Sequence, residues 1–294
     1  MERVYHYTSI ESFQKMIDGI FRDGKDYYLT FWATSIYAMN DPMEFLHGYN
    51  LLKDNVLPDI EKELCITENS FKLSHIWNII VKEITPSNGM DYLINHIYDN
   101  HLCPFIISFS KKKDFLPMWN AYSDKGKGVC LCFNNNEYLY KDGQPIILNK
   151  LHAMDVTYKI IDDVSSKTIK NFYNDYYQTY KRIPNEPQRT KKMIDYLISL
   201  IVVFSAYHKN EAYQYEEESR LVKFKHNESD VHYRLSKNGR LISYIKVNVK
   251  LKHLEKIIVG PCADSESVIR ELKNQLRHYG IKEVTPSNVP YREI

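Results

Sequence analysis

The stretch YQYEEESRLV, residues 213–222, sets Glu216, Glu217 and Glu218 directly ahead of an apolar run that reads as a β-strand, with Arg220 close behind. Successive side chains of a strand point to opposite faces. An extended conformation from Glu216 onward therefore places Glu216, Glu218 and Arg220 in one row and Glu217 and Ser219 on the other face. Such a row is either a charged sheet edge that resists unwanted strand pairing or a pair of working carboxylates with a cation beside them. The rest of the chain has to decide between these.

The chain has 294 residues, enough to bury a substantial core. Its 39 Lys and Arg against 37 Asp and Glu leave a formal charge of +2, so no global field draws it to nucleic acid or to an anionic membrane. The cysteines, Cys65, Cys103, Cys130, Cys132 and Cys262, are odd in number and lack the paired spacing of a structural zinc site. They read as reduced thiols, with Cys130 and Cys132 as small buried residues on one strand face. The opening MERVYHYTSI has no signal-peptide core, and the greasiest run, YLISLIVVFSAY, is too short to span a bilayer. A soluble, cytoplasmic protein without membrane contact is expected.

Along the chain, RVYHYT reads as a strand, and Thr8-Ser9-Ile10-Glu11 has the form of a capping box opening an amphipathic helix that ends near Gly19. YYLTFWAT is the next strand, followed by the turn signal Asn40-Asp41-Pro42. Residues 50–100 have helical apolar spacing in IWNIIVKEI and MDYLINHIYDN and read as a helical insertion. PFIISFS, DFLPMWNAY, SDKGKG and VCLCF then give strand, short helix, glycine turn and strand. Two long helices are expected within 160–208, separated by Pro184 and Pro187. The strands RLVKF, LISYIKVNV and LEKIIVGP follow, then a helix from Asp264 and the last strand IKEVT. Strands interrupted by helices without regular alternation indicate a mixed α+β fold.

No phosphate-binding loop, dinucleotide fingerprint, nucleophile elbow or His-Glu-x-x-His helix is present. Taken singly, the polar clusters have ordinary structural explanations. His6 reads as a satisfied histidine, Ser108 and Ser110 as a turn or cap, and Trp119 with Tyr122 as core. Asp41, Glu44, Glu216 and Glu218 supply oxygen ligands of the kind a metal-dependent nuclease needs, but no spacing requires them to meet.

Taken in order, the motifs are more specific. Tyr5-His6-Tyr7-Thr8, Asn40-Asp41-Pro42-Met43-Glu44, Ser108-Phe109-Ser110, Trp119-x-x-Tyr122, Gly128-Val129, Glu216-x-Glu218-x-Arg220 and Val259-Gly260-Pro261 together resemble the bacterial domain-of-unknown-function family number 2971 over almost the whole chain. That family is in turn distantly similar to ADP-ribosyltransferases. The resemblance implies one ADP-ribosyltransferase-like domain over 1–294, with split mixed or antiparallel sheets clamping NAD and helical insertions at about 50–100 and 160–208. It implies NAD as substrate, Glu218 as the catalytic acid and Glu216 as the residue that orients or deprotonates the nucleophile. His6, with Tyr7 and Thr8, would hold ribose, and Ser108 and Ser110 would form the middle motif. Tyr7, Trp119 or Tyr122 would stack on nicotinamide, and Arg220 would temper the carboxylates or meet pyrophosphate.

A protein or nucleic-acid acceptor, a toxin or anti-phage role, and an antitoxin or defence-system partner belong to the same implication. The alternatives are a non-catalytic nucleotide-sensing or protein-binding module and the metal-dependent nuclease.

Overall fold

The computed structural model describes residues 3–39, 43–66, 72–75, 77, 97, 102–135, 153–158, 163–183, 186–225, 227–236, 238–281 and 283–291. The elements begin with β1 (Arg3–Thr8), α1 (Ile10–Asp18), β2 (Phe21–Asp23), β3 (Asp26–Ser35), α2 (Glu44–Leu51) and α3 (Leu57–Glu63). They continue with β4 (Pro104–Ser110), α4 (Leu116–Tyr122), β5 (Val129–Asn134), β6 (Met154–Asp155), α5 (Asp163–Arg182) and α6 (Glu186–Tyr207). The chain then runs through β7 (Glu218–Phe224), β8 (Val231–Leu235), β9 (Leu241–Lys250), β10 (Leu254–Val259), α7 (Ser265–Leu276) and β11 (Glu283–Pro286). The turn at Asn40-Asp41-Pro42 and most of the expected helices IWNIIVKEI and MDYLINHIYDN lie outside the described residues.

The fold is mixed α/β. Its described strands form an open mixed sheet in the order β11-β10-β5-β1-β4-β3-β9-β8, with β2 on β3 and β6 paired to β7, which pairs with β4. Among the described strands only β10 and β11 pair in parallel.

The sheet divides at β4. β7 lies along the whole of that strand, from Pro104↔Phe224 to Ser110↔Glu218. A strand has two edges, so β1 and β3 share the other one. β1 touches it at Tyr5↔Ser110, and β3 touches it at Thr34↔Ile106 and Ser35↔Phe105. Between those contacts β1 and β3 diverge, leaving Ile107, Ser108 and Phe109 without a strand on that edge. The expected pair of sheets is therefore a single sheet with a notch, held together through β4.

Local sequence explains the elements that frame the notch. Ser9 caps α1 by accepting a hydrogen bond from the Ser12 amide at 3.1 Å, and Phe13, Met16 and Ile17 form the buried stripe of that helix. The cap is thus Ser9 itself. α6 is apolar on several sides and buries Leu197, Ile198, Ile201 and Val202 in the main core. A second cluster on β1, β5 and β10 contains Tyr5, Tyr7, Cys130, Cys132 and Ile258, covered by Met118 and Trp119 of α4. Glycines at the strand ends admit backbone rather than ligand. A Cβ on Gly128 would stand 2.1 Å from the Thr8 carbonyl oxygen, and one on Gly260 would stand 2.2 Å from that of Gly126. No described helix is long and apolar enough to cross a membrane.

α2 crosses α6 where Gly48 meets Ser205. A Cβ on Gly48 would lie 2.5 Å from the Ser205 Cα, which is backbone and cannot rotate away. Ala is favoured over Gly in a helix by about 1 kcal/mol, whereas forcing extra volume into a packed contact costs about 1–3 kcal/mol. The steric term wins because two helix backbones would have to separate. Gly48→Ala is therefore expected to lower the urea midpoint of unfolding without changing its slope; an unchanged or raised midpoint would contradict the close crossing.

Candidate functional site

Five ionisable side chains meet beside the notch. Glu218 and Arg220 lie two apart on β7 and share a face. Arg220 grips the Glu218 carboxylate with both sides of its fork, Nε to Oε1 at 2.8 Å and Nη2 to Oε2 at 2.9 Å. Its Nη1 donates to the Ala206 carbonyl in the last turn of α6 at 2.8 Å, and Nη2 also meets Glu44 at the start of α2. Lys209, just beyond α6, donates to Glu216 Oε2 at 2.7 Å and to Glu218 Oε2 at 3.0 Å. All five are buried.

The opening triplet is not one continuous strand. Glu216 ends a 3-10 turn (Glu211–Glu216), Glu217 adopts a left-handed φ of 41°, and β7 starts at Glu218. The expected row of Glu216, Glu218 and Arg220 is corrected in its geometry, because the kink at Glu217 interrupts the alternation. Glu216 returns to the same place through Lys209. Glu217 stays exposed and pairs with Lys112 at 2.5 Å.

Electrostatics follow from this packing. Burial pushes the Glu218 pKa up, but Arg220 and Lys209 outweigh it and hold the group down at about 2. The Ser108 side chain contributes weakly in the same direction. For Lys209, burial favours the neutral form, yet Glu218 and Glu216 raise its pKa above the ordinary lysine value. Glu44 is shifted up, with burial stronger than the attraction of Arg220. Burial, then the neighbouring Glu216, keeps Tyr122 protonated, so its hydroxyl donates to Glu216 Oε1 at 2.7 Å.

His6 fills the notch. Its Nδ1 lies 2.9 Å from the Ser108 carbonyl oxygen, which can only accept, so Nδ1 carries the proton. Burial lowers the pKa of the ring more than this bond raises it, leaving a neutral imidazole whose Nε2 is an acceptor. Phe31 and Phe109 hold the ring edge-on at centroid distances of 5.1 and 5.7 Å.

A cavity of about 300 Å³ opens here, lined among others by His6, Ser108, Tyr122, Lys209, Glu216 and Glu218. Tyr7, Thr8 and Ser110 also line it, although two of their hydroxyls are committed elsewhere. Tyr7 donates to the Lys112 carbonyl at 2.6 Å and accepts from the Phe115 amide at 3.1 Å. Ser110 donates to the Glu216 carbonyl at 2.5 Å and accepts from the Lys112 amide at 2.9 Å, fixing the turn.

Two expected site residues do not line the cavity. Trp119 is fully buried, donates to Asp114 at 2.9 Å and packs edge-on against Tyr7, so it offers no face for stacking. Arg220 is fully buried with its nitrogens engaged by Glu218, Glu44 and Ala206, which makes it a support for the site rather than a pyrophosphate ligand.

Residues 118–221 match the family model described as a protein of unknown function, DUF2971. Over this stretch the chain is similar to that family. The match includes Trp119, Tyr122, Lys209, Glu216, Glu218 and Arg220, and so runs through the charged cluster, while His6 and Ser108 lie ahead of it. No curated protein and no solved structure matches the chain.

Lys209 and Trp32 were missed as site residues. Lys209 is a lone cation directly after the apolar helix YLISLIVVFSAY, a signal that needs the fold to become meaningful. Trp32, 37% exposed and lining the cavity, is hidden in sequence among the many aromatics of YYLTFWAT. The carboxylates Glu44, Glu216 and Glu218 do gather, but around Lys209 and Arg220, which already neutralise much of their charge. Asp41, the fourth ligand of the nuclease alternative, lies outside the described residues. Among the described residues no group of three or more His, Cys, Asp or Glu side chains is arranged to hold a metal ion.

Two outcomes follow. Arg220→Met leaves Glu218 and Glu44 buried without their shared cation, and breaking a buried pair in this way costs about 3–5 kcal/mol; a denaturant titration measures it. Glu218 has a folded-state pKa below its ordinary 4.5, so its contribution is present above that value and is lost as pH falls from about 4.5 towards 2. Glu44, shifted the other way, opposes this only at and above its ordinary value. Acid unfolding should therefore be less steep in Glu218→Gln across the lower window, and an identical slope would show that the carboxylate is not coupled to folding.

Proposed function

We propose that the protein is an ADP-ribosyltransferase-like enzyme that cleaves NAD, as a transferase or as a glycohydrolase. The observation that carries this reading is that His6, Ser108 and the pair Glu216 and Glu218, from three distant stretches of the sequence, line one cavity at the division of the sheet. Neutral His6 offers Nε2 to a ribose hydroxyl. The bond between C1′ and the nicotinamide nitrogen breaks, its electron pair leaves with nicotinamide, and positive charge develops on the ribose as in glycoside cleavage. A fixed carboxylate stabilises that charge more in the transition state than in the ground state.

The hydrogen-bond inventory assigns the two glutamates different parts. Glu218 receives two bonds from Arg220 and one from Lys209, three charge-assisted bonds that occupy most of its lone-pair directions. Glu216 receives only Tyr122 and Lys209 through its side chain. Glu216 thus retains acceptor capacity for the nucleophile's proton or a ribose hydroxyl, and Glu218 supplies permanent charge while holding Lys209 and Arg220 in place.

The pairing of Glu218 with two buried cations also favours a second reading, a nucleotide-sensing module that binds NAD without cleaving it. An acceptor, a toxin or anti-phage role and a defence-system partner remain part of the wider proposal.

Nicotinamide release from NAD, with and without cell lysate as a source of acceptor, tests the reading alongside calorimetric NAD binding. Glu216→Gln is expected to stay folded and retain NAD binding, with a lowered melting temperature because Lys209 loses one of its two carboxylate partners, while turnover falls roughly a hundred- to a thousandfold, the usual effect of removing one preorganised group. His6→Ala is expected to weaken NAD binding. A wild-type chain that binds NAD and never releases nicotinamide assigns the protein to the sensor class; one that neither binds nor cleaves NAD removes the basis of both readings.

A further inference from the structure

We infer that the part of the cavity formed by β3, β9 and β8 is a binding site for a nucleoside phosphate, with Arg234 holding the phosphate and Trp32 covering the base. The register builds this surface. Trp32 pairs with Lys246 and Thr34 with Tyr244, while His232 pairs with Tyr244 and Arg234 with Ile242. Directly paired residues share a face, as do residues two apart along a strand. Trp32, Thr34, Ile242, Tyr244, Lys246, His232 and Arg234 therefore lie on one side of the sheet, and four of them, Trp32, Thr34, Ile242 and Arg234, line the cavity.

The charge of this surface is distinct from that around Glu218. Arg234 has its Nε sealed from solvent without a hydrogen-bond partner among the described residues. That Nε is a donor lacking its acceptor, and the planar fork of the same group, which lines the cavity, suits a phosphate oxygen pair. Lys246 adds a second cation on the same face, and the carboxylate of that face on β3, Asp26, lies at the far end, paired with Lys250 at 2.9 Å. The other basic group lining the cavity, Lys209, is already held by Glu216 and Glu218. An anion entering the cavity is thus drawn to Arg234 and repelled from the glutamates.

Beside it stands an aromatic row. Trp32 and Tyr244 lie 4.9 Å apart at 30°, and Tyr244 and His232 lie 5.5 Å apart at 34°. Tyr244 is buried between them, and Trp32 keeps a free surface against the cavity. An exposed indole and a guanidinium whose Nε lacks a partner, on one face of the sheet and lining the same cavity, suit a planar base carrying phosphate. This inference identifies the anchored end of the ligand and does not depend on whether the glycosidic bond is broken at the other end.

Calorimetry with ADP, adenosine and inorganic pyrophosphate tests it on the full chain. ADP is expected to bind the wild type more tightly than either fragment. Arg234→Ala should weaken ADP by about ten- to a hundredfold, the usual effect of one charged hydrogen-bonding group, while leaving the affinity for adenosine unchanged. Arg234→Lys should lie between the two, and Trp32→Ala should weaken ADP and adenosine but not pyrophosphate. Arg234 has no ion pair to lose among the described residues, so the melting temperature of its variants should match the wild type. Failure of the wild type to bind ADP, equal ADP affinity in wild type and Arg234→Ala, or ADP binding no tighter than pyrophosphate would each overturn the assignment. Because ADP has no nicotinamide bond, Arg234-dependent ADP binding by a chain that releases no nicotinamide would reject NAD cleavage and retain this site.

Discussion

The fully buried guanidinium of Arg220 organises this molecule. It reaches Glu218 on its own strand, Glu44 at the start of α2 and a carbonyl at the end of α6, tying α2 to two elements that lie far from it along the chain. Transferring such a cation from water is costly unless its donors are matched. The matching fixes where α2 and α6 stand against β7. Lys209 is placed by the same arrangement, because it directly follows the helix whose last carbonyls Arg220 holds.

The division of the sheet at β4 supplies the other half of the site. A regular sheet would cover residues 107–109 with a neighbouring strand, whereas here the divergence of β1 from β3 lets a side chain, His6, take the Ser108 carbonyl. That substitution sets the tautomer and the charge state of the ring together. The chemistry of the cavity is therefore a consequence of backbone pairing. The neutral histidine, the ionised Glu218 and the protonated Tyr122 each take their state from how an adjacent element is packed.

Much of this was legible in the sequence, for physical reasons that differ by residue. Strands such as RVYHYT and LISYIKVNV announce themselves by composition and alternation, and α6 by its apolar length. Ordered motifs placed His6, Ser108, Glu216 and Glu218 in one expected site, and they do share a cavity. Side-chain commitments were not legible. Nothing local in SRLV states that Arg220 will spend its nitrogens inside the protein, and nothing in PMWNAY states that the Trp119 indole will turn to Asp114. The left-handed Glu217 also escaped, since non-glycine residues at positive φ lack a dependable sequence signal. Trp32 and Arg234 came together only through a register across three strands.

The ion cluster bears on how the chain reaches its native state. Glu44 lies far along the chain from Lys209 and the β7 pair, so the link that closes the cluster belongs to the non-local contacts that form slowly. An intermediate that buries Arg220 before α2 has docked, or Glu218 before α6 has ended, holds a charge without its counterpart and is penalised accordingly. Half-assembled states are thereby raised in energy relative to both the open and the finished chain. The five charged groups act as a coincidence requirement on folding, and a cavity of this electrostatic character arises only when all its walls are present.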